Sequence, residues 1–114
     1  MKIEKTQLEG VKIISPSVCE DKRGSLFETF KSTLFEIDGL PSRFLQDNQV
    51  RSKQNVLRGL HYQLVHPQGK LIQVVLGSII DVAVDIRVGS ATFGKYHLDF
   101  QLEKVSSLTS IMEG

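Results

Sequence analysis

The sequence predicts an all-β chain, built as an antiparallel sandwich or small barrel. Three observations carry that expectation. Short segments rich in β-branched and aromatic residues recur along its 114 residues. Glycine-marked turns separate them, as at Gly24, Gly77 and Gly89. Ser78 to Arg87 alternates strictly, with Ile80, Val82, Val84 and Ile86 on one face and Ile79, Asp81, Ala83 and Asp85 on the other.

Taken in order, Val11 to Ile14 is a short β-branched strand closed by Pro16. Asp21-Lys22-Arg23-Gly24 reads as a turn and Ser25 to Phe30 as the strand after it. Ser32 to Ile37 has room for one or two helical turns, with Ser32 as cap and Gly39-Leu40-Pro41 as stop. Phe44 to Val50 mixes apolar and amide residues. Asn55 to Gln63 and Lys70 to Leu76 read as strands around the turn His66-Pro67-Gln68-Gly69. Gly77 turns the chain into Ser78 to Arg87. Gly89 to Gly94 turns it again into Tyr96 to Leu102, which also alternates. Phe27, Phe30, Phe93 and the Val82–Val84 row are the expected core, and His66 and His97 are expected to be exposed.

The length suits one domain, residues 1–114, with no repeat or linker. Hydrophobic residues make up 40%, enough for a packed core. The net charge is +1 without a basic block, so neither nucleic acid nor a membrane is expected as partner. Cys19 is the only cysteine, which forbids an internal disulfide and suits a reducing cytoplasm. Met1-Lys2-Ile3-Glu4-Lys5 lacks the apolar run of a signal peptide, and no stretch is apolar enough to span a bilayer. The expectation is a cytoplasmic protein.

Chemistry concentrates in Val56-Leu57-Arg58-Gly59-Leu60-His61-Tyr62-Gln63, followed by Gln68-Gly69-Lys70-Leu71. A fixed cation, a group that moves protons near neutral pH and a mobile cation lie close in sequence. On a strand, His61 and Gln63 share a face and Tyr62 takes the other; Arg58 is an odd number of residues from His61, so spacing leaves its side open. Such a set suits removal of a proton next to a carbonyl. A base of near-neutral pKa takes the C–H proton, and a cation stabilises the enolate oxygen. His61 suits the first role and Lys70 the second. Arg58 and Arg23 suit anchoring of anionic or hydroxyl groups. A metal site needs three or four ligands; Gln63 is a poor one and Lys70 would repel a cation. No metal or cofactor is therefore assigned. Each residue also has a structural use: His61 as a hydrogen-bonded histidine, Lys70 as an edge guard, Arg23 and Glu28 as a surface pair, and Gln46, Asp47 and Asn48 as turn formers.

Four blocks of this sequence closely resemble the dTDP-4-dehydrorhamnose 3,5-epimerase family, cupins of nucleotide-sugar biosynthesis. They are Asp21-Lys22-Arg23-Gly24 through Phe27-Glu28, Gln46-Asp47-Asn48 through Arg51-Ser52, Val56 to Gln63 with Gln68 to Leu71, and Asp81 to Arg87 through Thr92-Phe93-Gly94-Lys95. The resemblance implies a cupin jelly-roll homodimer whose protomers lend strands to each other. It also implies inversion of C3 and C5 in dTDP-4-dehydro-6-deoxy-D-glucose, on the route to dTDP-L-rhamnose. Both carbons flank the C4 ketone, so one enolate-stabilising site serves both. Metal-binding cupins carry His-x-His, then Glu, six residues and Gly. Here Gln63 replaces the second histidine and Lys70 the glutamate, six residues before Gly77. By the same resemblance His61 is the base, Lys70 the enolate stabiliser, and Arg23, Glu28, Gln46, Asp47, Asn48 and Arg58 contact sugar and nucleotide.

Family members are longer. After the position of Asp99 they carry further strands, a second histidine, a tyrosine acting as general acid, and an aspartate paired with the base. Here Leu102 to Thr109 matches poorly, and Ile111-Met112-Glu113-Gly114 resembles the family's Ile-Pro-Glu-Gly without its proline. Gln49 stands where a histidine is usual and Leu26 where an aromatic is usual. The expectation is a cupin-like domain incomplete at its C-terminal end. Without orienting carboxylate and general acid it has weak or no epimerase activity by itself, or only binds dTDP-sugar or dimerises.

Overall fold

A computed structural model describes residues 1–102 and the backbone of residues 109–112. Of the poorly matching stretch Leu102 to Thr109, residues 103–108 lie outside the described residues, as do Glu113 and Gly114. The chain divides into two compact units, Met1–Thr29 with Gln68–Gly114, and Phe30–Pro67.

Among the described residues, the first unit holds eight strands in three antiparallel sheets. β1 (Lys2–Lys5), β2 (Val11–Ser15), β8 (Thr109–Met112) and β5 (Lys70–Ile72) form one sheet in the order β1-β2-β8-β5. β2 lies inside that order, and Val11, Ile13 and Ile14 are all buried. A run of adjacent buried residues means that both faces are covered. The turn before it is tied by Thr6, whose hydroxyl donates to the Val11 carbonyl at 2.8 Å and accepts from the Leu8 N–H at 3.2 Å. β3 (Val18–Asp21) and β4 (Gly24–Phe27) form a hairpin over Lys22-Arg23, with Asp21 opposite Gly24. Gly24 takes φ 135° there, a conformation open to glycine. β6 (Ser78–Val84) pairs with β7 (Tyr96–Leu102), from Ser78 opposite Leu102 to Val84 opposite Tyr96.

The second unit is organised by aromatic packing around α1 (Ser32–Ile37). Phe35 is 1% exposed. Phe30 stands edge-on to it at 4.7 Å, and Phe44 completes the cluster at 6.5 Å from Phe35. The helix stops in a left-handed cap. The Gly39 N–H bonds the Glu36 carbonyl at 3.0 Å, and the Leu40 N–H bonds the Phe35 carbonyl at 2.8 Å, with Gly39 at φ 70°. Buried Leu40 supplies the apolar contact that such a cap favours.

Several expectations are corrected. Asn55 to Gln63 is not a strand: Asn55 (φ 67°) and Gly59 (φ 116°) break the extension, and no described strand pairs with it. His61 and Gln63 therefore share no strand face. Strand structure ends at Ile72 rather than Leu76, and at Val84 rather than Arg87, where Asp85 begins a turn. Ser25 to Phe30 pairs only through Phe27. Ser32 is not the helix cap; Lys31 holds that place without a side-chain bond. Phe30, Phe93, Val82 and Val84 are exposed, Phe27 and His97 half-buried. β1, β3 and β8 were not legible: β1 and β3 are short and rich in charge, and β8 is four residues long and begins where the poorly matching stretch ends.

Candidate active site

Arg23, Glu28 and Lys70 belong to the first unit. Arg23 sits on the β3–β4 turn, where its Nε and Nη2 donate to Asp21 Oδ2 at 3.0 and 2.6 Å, and its N–H donates to Oδ1 at 2.8 Å. The Arg23 guanidinium is the main reason the Asp21 carboxyl is held below the usual carboxylate range, with the Arg23 N–H second. The pair is largely exposed, so its net worth is small and Arg23 can share its charge with an arriving anion at little cost. Glu28 follows β4 and is exposed. Lys70 opens β5 opposite Met112 and is exposed at the edge of its sheet. An ammonium there keeps three donors to offer.

Gln46, Asp47, Asn48, Arg58 and His61 belong to the second unit. Gln46 Nε2 donates to Asn48 Oδ1 at 3.3 Å, a bond that uses neither the Gln46 oxygen nor the Asn48 amide nitrogen, and both residues are exposed. Asp47, between them, is exposed. Arg58 Nε donates to Ser52 Oγ at 3.0 Å. That bond steadies the guanidinium and leaves its two terminal nitrogens for a bidentate anion. The His61 ring lies beside Gly59: a Cβ at position 59 would stand 3.7 Å from His61 Cδ2 and 4.0 Å from Nε2. That is ordinary van der Waals contact, so glycine there serves the backbone, at φ 116°. Within this unit the structure brings Gln46 to Asn48 and Arg58 to Ser52.

Sequence reasoning gave Asp85 no role, and the structure gives it the densest polar cluster of the chain's described part. Asp85 is 6% exposed. It accepts from Arg87 Nε and the Arg87 N–H at 3.0 Å each, and from the Ser90 and Thr92 hydroxyls at 2.6 Å each. Arg87 Nη2 reaches on to the Glu9 carbonyl at 3.0 Å. Arg87 first, then Ser90 and Thr92, hold the Asp85 carboxyl far below the usual range. Donors two, five and seven residues after an aspartate, in a glycine-bounded turn, were the available signal. The cluster ties the turn between β6 and β7. Among the described residues, no three His, Cys, Asp or Glu side chains gather as metal ligands, and no helix is long and apolar enough to cross a membrane.

The family model of dTDP-4-dehydrorhamnose 3,5-epimerase matches residues 5–108. The chain belongs to that family. The enzyme of this name from Methanothermobacter thermautotrophicus is 51% identical over 92 residues, 81% of this chain and 50% of its own length. Among solved structures, the Legionella pneumophila dTDP-6-deoxy-D-glucose-3,5-epimerase, in complex with dTDP-4-keto-L-rhamnose, matches 97% of this chain and 59% of its own at TM-score 0.88 and 43% identity. The Elizabethkingia anophelis dTDP-4-dehydrorhamnose 3,5-epimerase matches 99% and 62% at TM-score 0.86 and 40% identity. The mostly-strand architecture with one short helix is the cupin jelly-roll class of these neighbours. The chain spans about half the length of the curated relatives it matches.

Proposed function

We propose that this protein acts as an epimerase of the dTDP-4-dehydrorhamnose 3,5-epimerase type, on dTDP-4-dehydro-6-deoxy-D-glucose. The observation that carries this reading is the likeness to the Legionella enzyme in complex with dTDP-4-keto-L-rhamnose. In this reading His61 takes the proton from C3 or C5, and the Lys70 ammonium stabilises the negative charge that develops on the C4 oxygen. The enolate electrons then take a proton from solvent water on the opposite face of the carbon, which inverts it, and the His61 imidazolium returns its proton to the solvent. Arg58 and Arg23 bind the diphosphate, and Gln46, Asp47, Asn48 and Glu28 take up hydroxyl and base contacts. Residues 1–114 work as one cupin-like domain, in a homodimer, in the cytoplasm; the lone cysteine suits that compartment.

A second reading is favoured by the chain's coverage of about half of its relatives' length. It is a protein that binds dTDP-sugar, or dimerises, without turning it over. Incubation of the 4-keto sugar in heavy water separates the two. Deuterium at C3 and C5 above a protein-free control supports the epimerase. No label, together with calorimetric binding of thymidine diphosphate, replaces it by the second reading. Neither label nor binding removes both.

A further inference from the structure

Among the described residues, Arg23, Arg58 and Arg87 each donate through Nε to a neighbouring side chain. Arg23 and Arg87 do so to a carboxylate two residues before them, and form ion pairs with Asp21 and Asp85. Arg58 differs. It donates to a neutral hydroxyl, Ser52 Oγ, at 3.0 Å and six residues away. The backbone between them is shaped to allow this. A turn at Gln54-Asn55 reverses the chain, with Asn55 at φ 67°, a left-handed conformation that asparagine tolerates better than most residues. The surrounding sequence keeps carboxylates away: from Asn48 to Pro67 there is no Asp or Glu, while Arg51, Lys53 and Arg58 are cations.

We infer that Ser52 is a positioning residue: its hydroxyl aims the Arg58 guanidinium at the substrate's diphosphate without neutralising it. This role rests on the diphosphate reading of Arg58 given above and adds the group that orients the cation. Three physical points support it. Arg58 is exposed, and an exposed arginine samples many rotamers that an arriving anion must still. A bond at Nε removes part of that freedom beforehand. The bond also uses neither terminal nitrogen, so the end of the fork remains for two phosphate oxygens. Finally, serine carries no charge. A carboxylate at position 52 would orient the fork equally well, but it would repel the phosphates and offset part of the attraction to Arg58. Asp21 and Asp85 hold an arginine and compensate its charge together; Ser52 holds one and leaves the charge uncompensated.

The test is calorimetric binding of thymidine diphosphate to the full chain and to three variants at position 52. Ser52 is exposed, so none of them strands a buried group. Ser52→Ala is expected to weaken binding about three- to tenfold, the scale of one hydrogen bond to a charged group. Ser52→Thr keeps the hydroxyl and should stay within about twofold of wild type. Ser52→Asp separates positioning from a merely structural tie. A carboxylate would restore a tie across the turn, whereas the positioning role requires Ser52→Asp to bind more weakly than Ser52→Ala. Wild-type affinity in Ser52→Ala overturns the role of Ser52 and leaves the Arg58 reading standing. So does tighter binding by Ser52→Asp than by Ser52→Ala, or equal losses in Ser52→Thr and Ser52→Ala. No binding by the wild type, or undiminished binding by Arg58→Ala, overturns the diphosphate reading itself and the role of Ser52 with it.

Discussion

Replacement of Phe35 by alanine tests what holds the second unit together. Phe35 is the fully buried ring of α1, 1% exposed, with Phe30 and Phe44 edge-on around it and Leu40 buried nearby. Truncation of a buried phenylalanine costs about 3–5 kcal/mol. A unit of about forty residues carries roughly 2–6 kcal/mol at ordinary stability per residue. The substitution therefore removes most or all of what keeps residues 30–67 ordered. Native-state hydrogen exchange should show amide protection in α1 and at Gly39 and Leu40 falling by at least about a hundredfold, the equivalent of ~2.7 kcal/mol. Phe35→Leu keeps most of the volume and should cost under ~1.5 kcal/mol. Protection in Phe35→Ala within about threefold of wild type would refute the reasoning, because the aromatic cluster would then not be what orders the segment carrying Arg58 and His61.

Other outcomes follow from single features. Gly39→Ala meets open space but forces alanine to φ 70°, so it should cost about 1–2 kcal/mol, read from exchange of α1 amides. Asp85 has a folded pKa depressed below its unfolded value, chiefly by Arg87. Its contribution is fully present above about pH 4, near the unfolded value, and fades as pH falls toward the lower folded value. Thermal unfolding temperature should decline on acidification below about pH 4, and Asp85→Asn should lower it at neutral pH and flatten that decline. An equally steep decline in the variant would assign the acid sensitivity elsewhere. Arg58→Lys loses the fork that bonds Ser52 and an anion together, and should weaken thymidine diphosphate binding about tenfold by calorimetry.

Much of the fold was legible because period and turn residues agreed. Tyr96–Leu102 and the start of Ser78–Arg87 alternate, and both form strands. The helix was legible from its glycine stop, which the structure shows as a left-handed cap. Which face of a strand turns inward was not. Val82 and Val84 read as core because apolar residues usually are, yet the Asp85 cluster draws the other face in. That cluster depends on a turn bringing Arg87, Ser90 and Thr92 back to one carboxylate, which period alone does not show. Asn55 to Gln63 failed as a strand because composition cannot see the left-handed backbone at Asn55. The candidate site residues were read from a family pattern, and the geometry adds the bonds that hold Arg23, Arg58 and Gln46.

In the proposed function an imidazole removes protons beside a ketone and an ammonium stabilises the resulting oxyanion. Its most direct measurement follows deuterium uptake at C3 and C5 of the 4-keto sugar by NMR for wild type, His61→Asn and Lys70→Met side by side. The account predicts uptake in the wild type and a fall of roughly a hundredfold or more in each variant. Uptake in His61→Asn at the wild-type rate would contradict it.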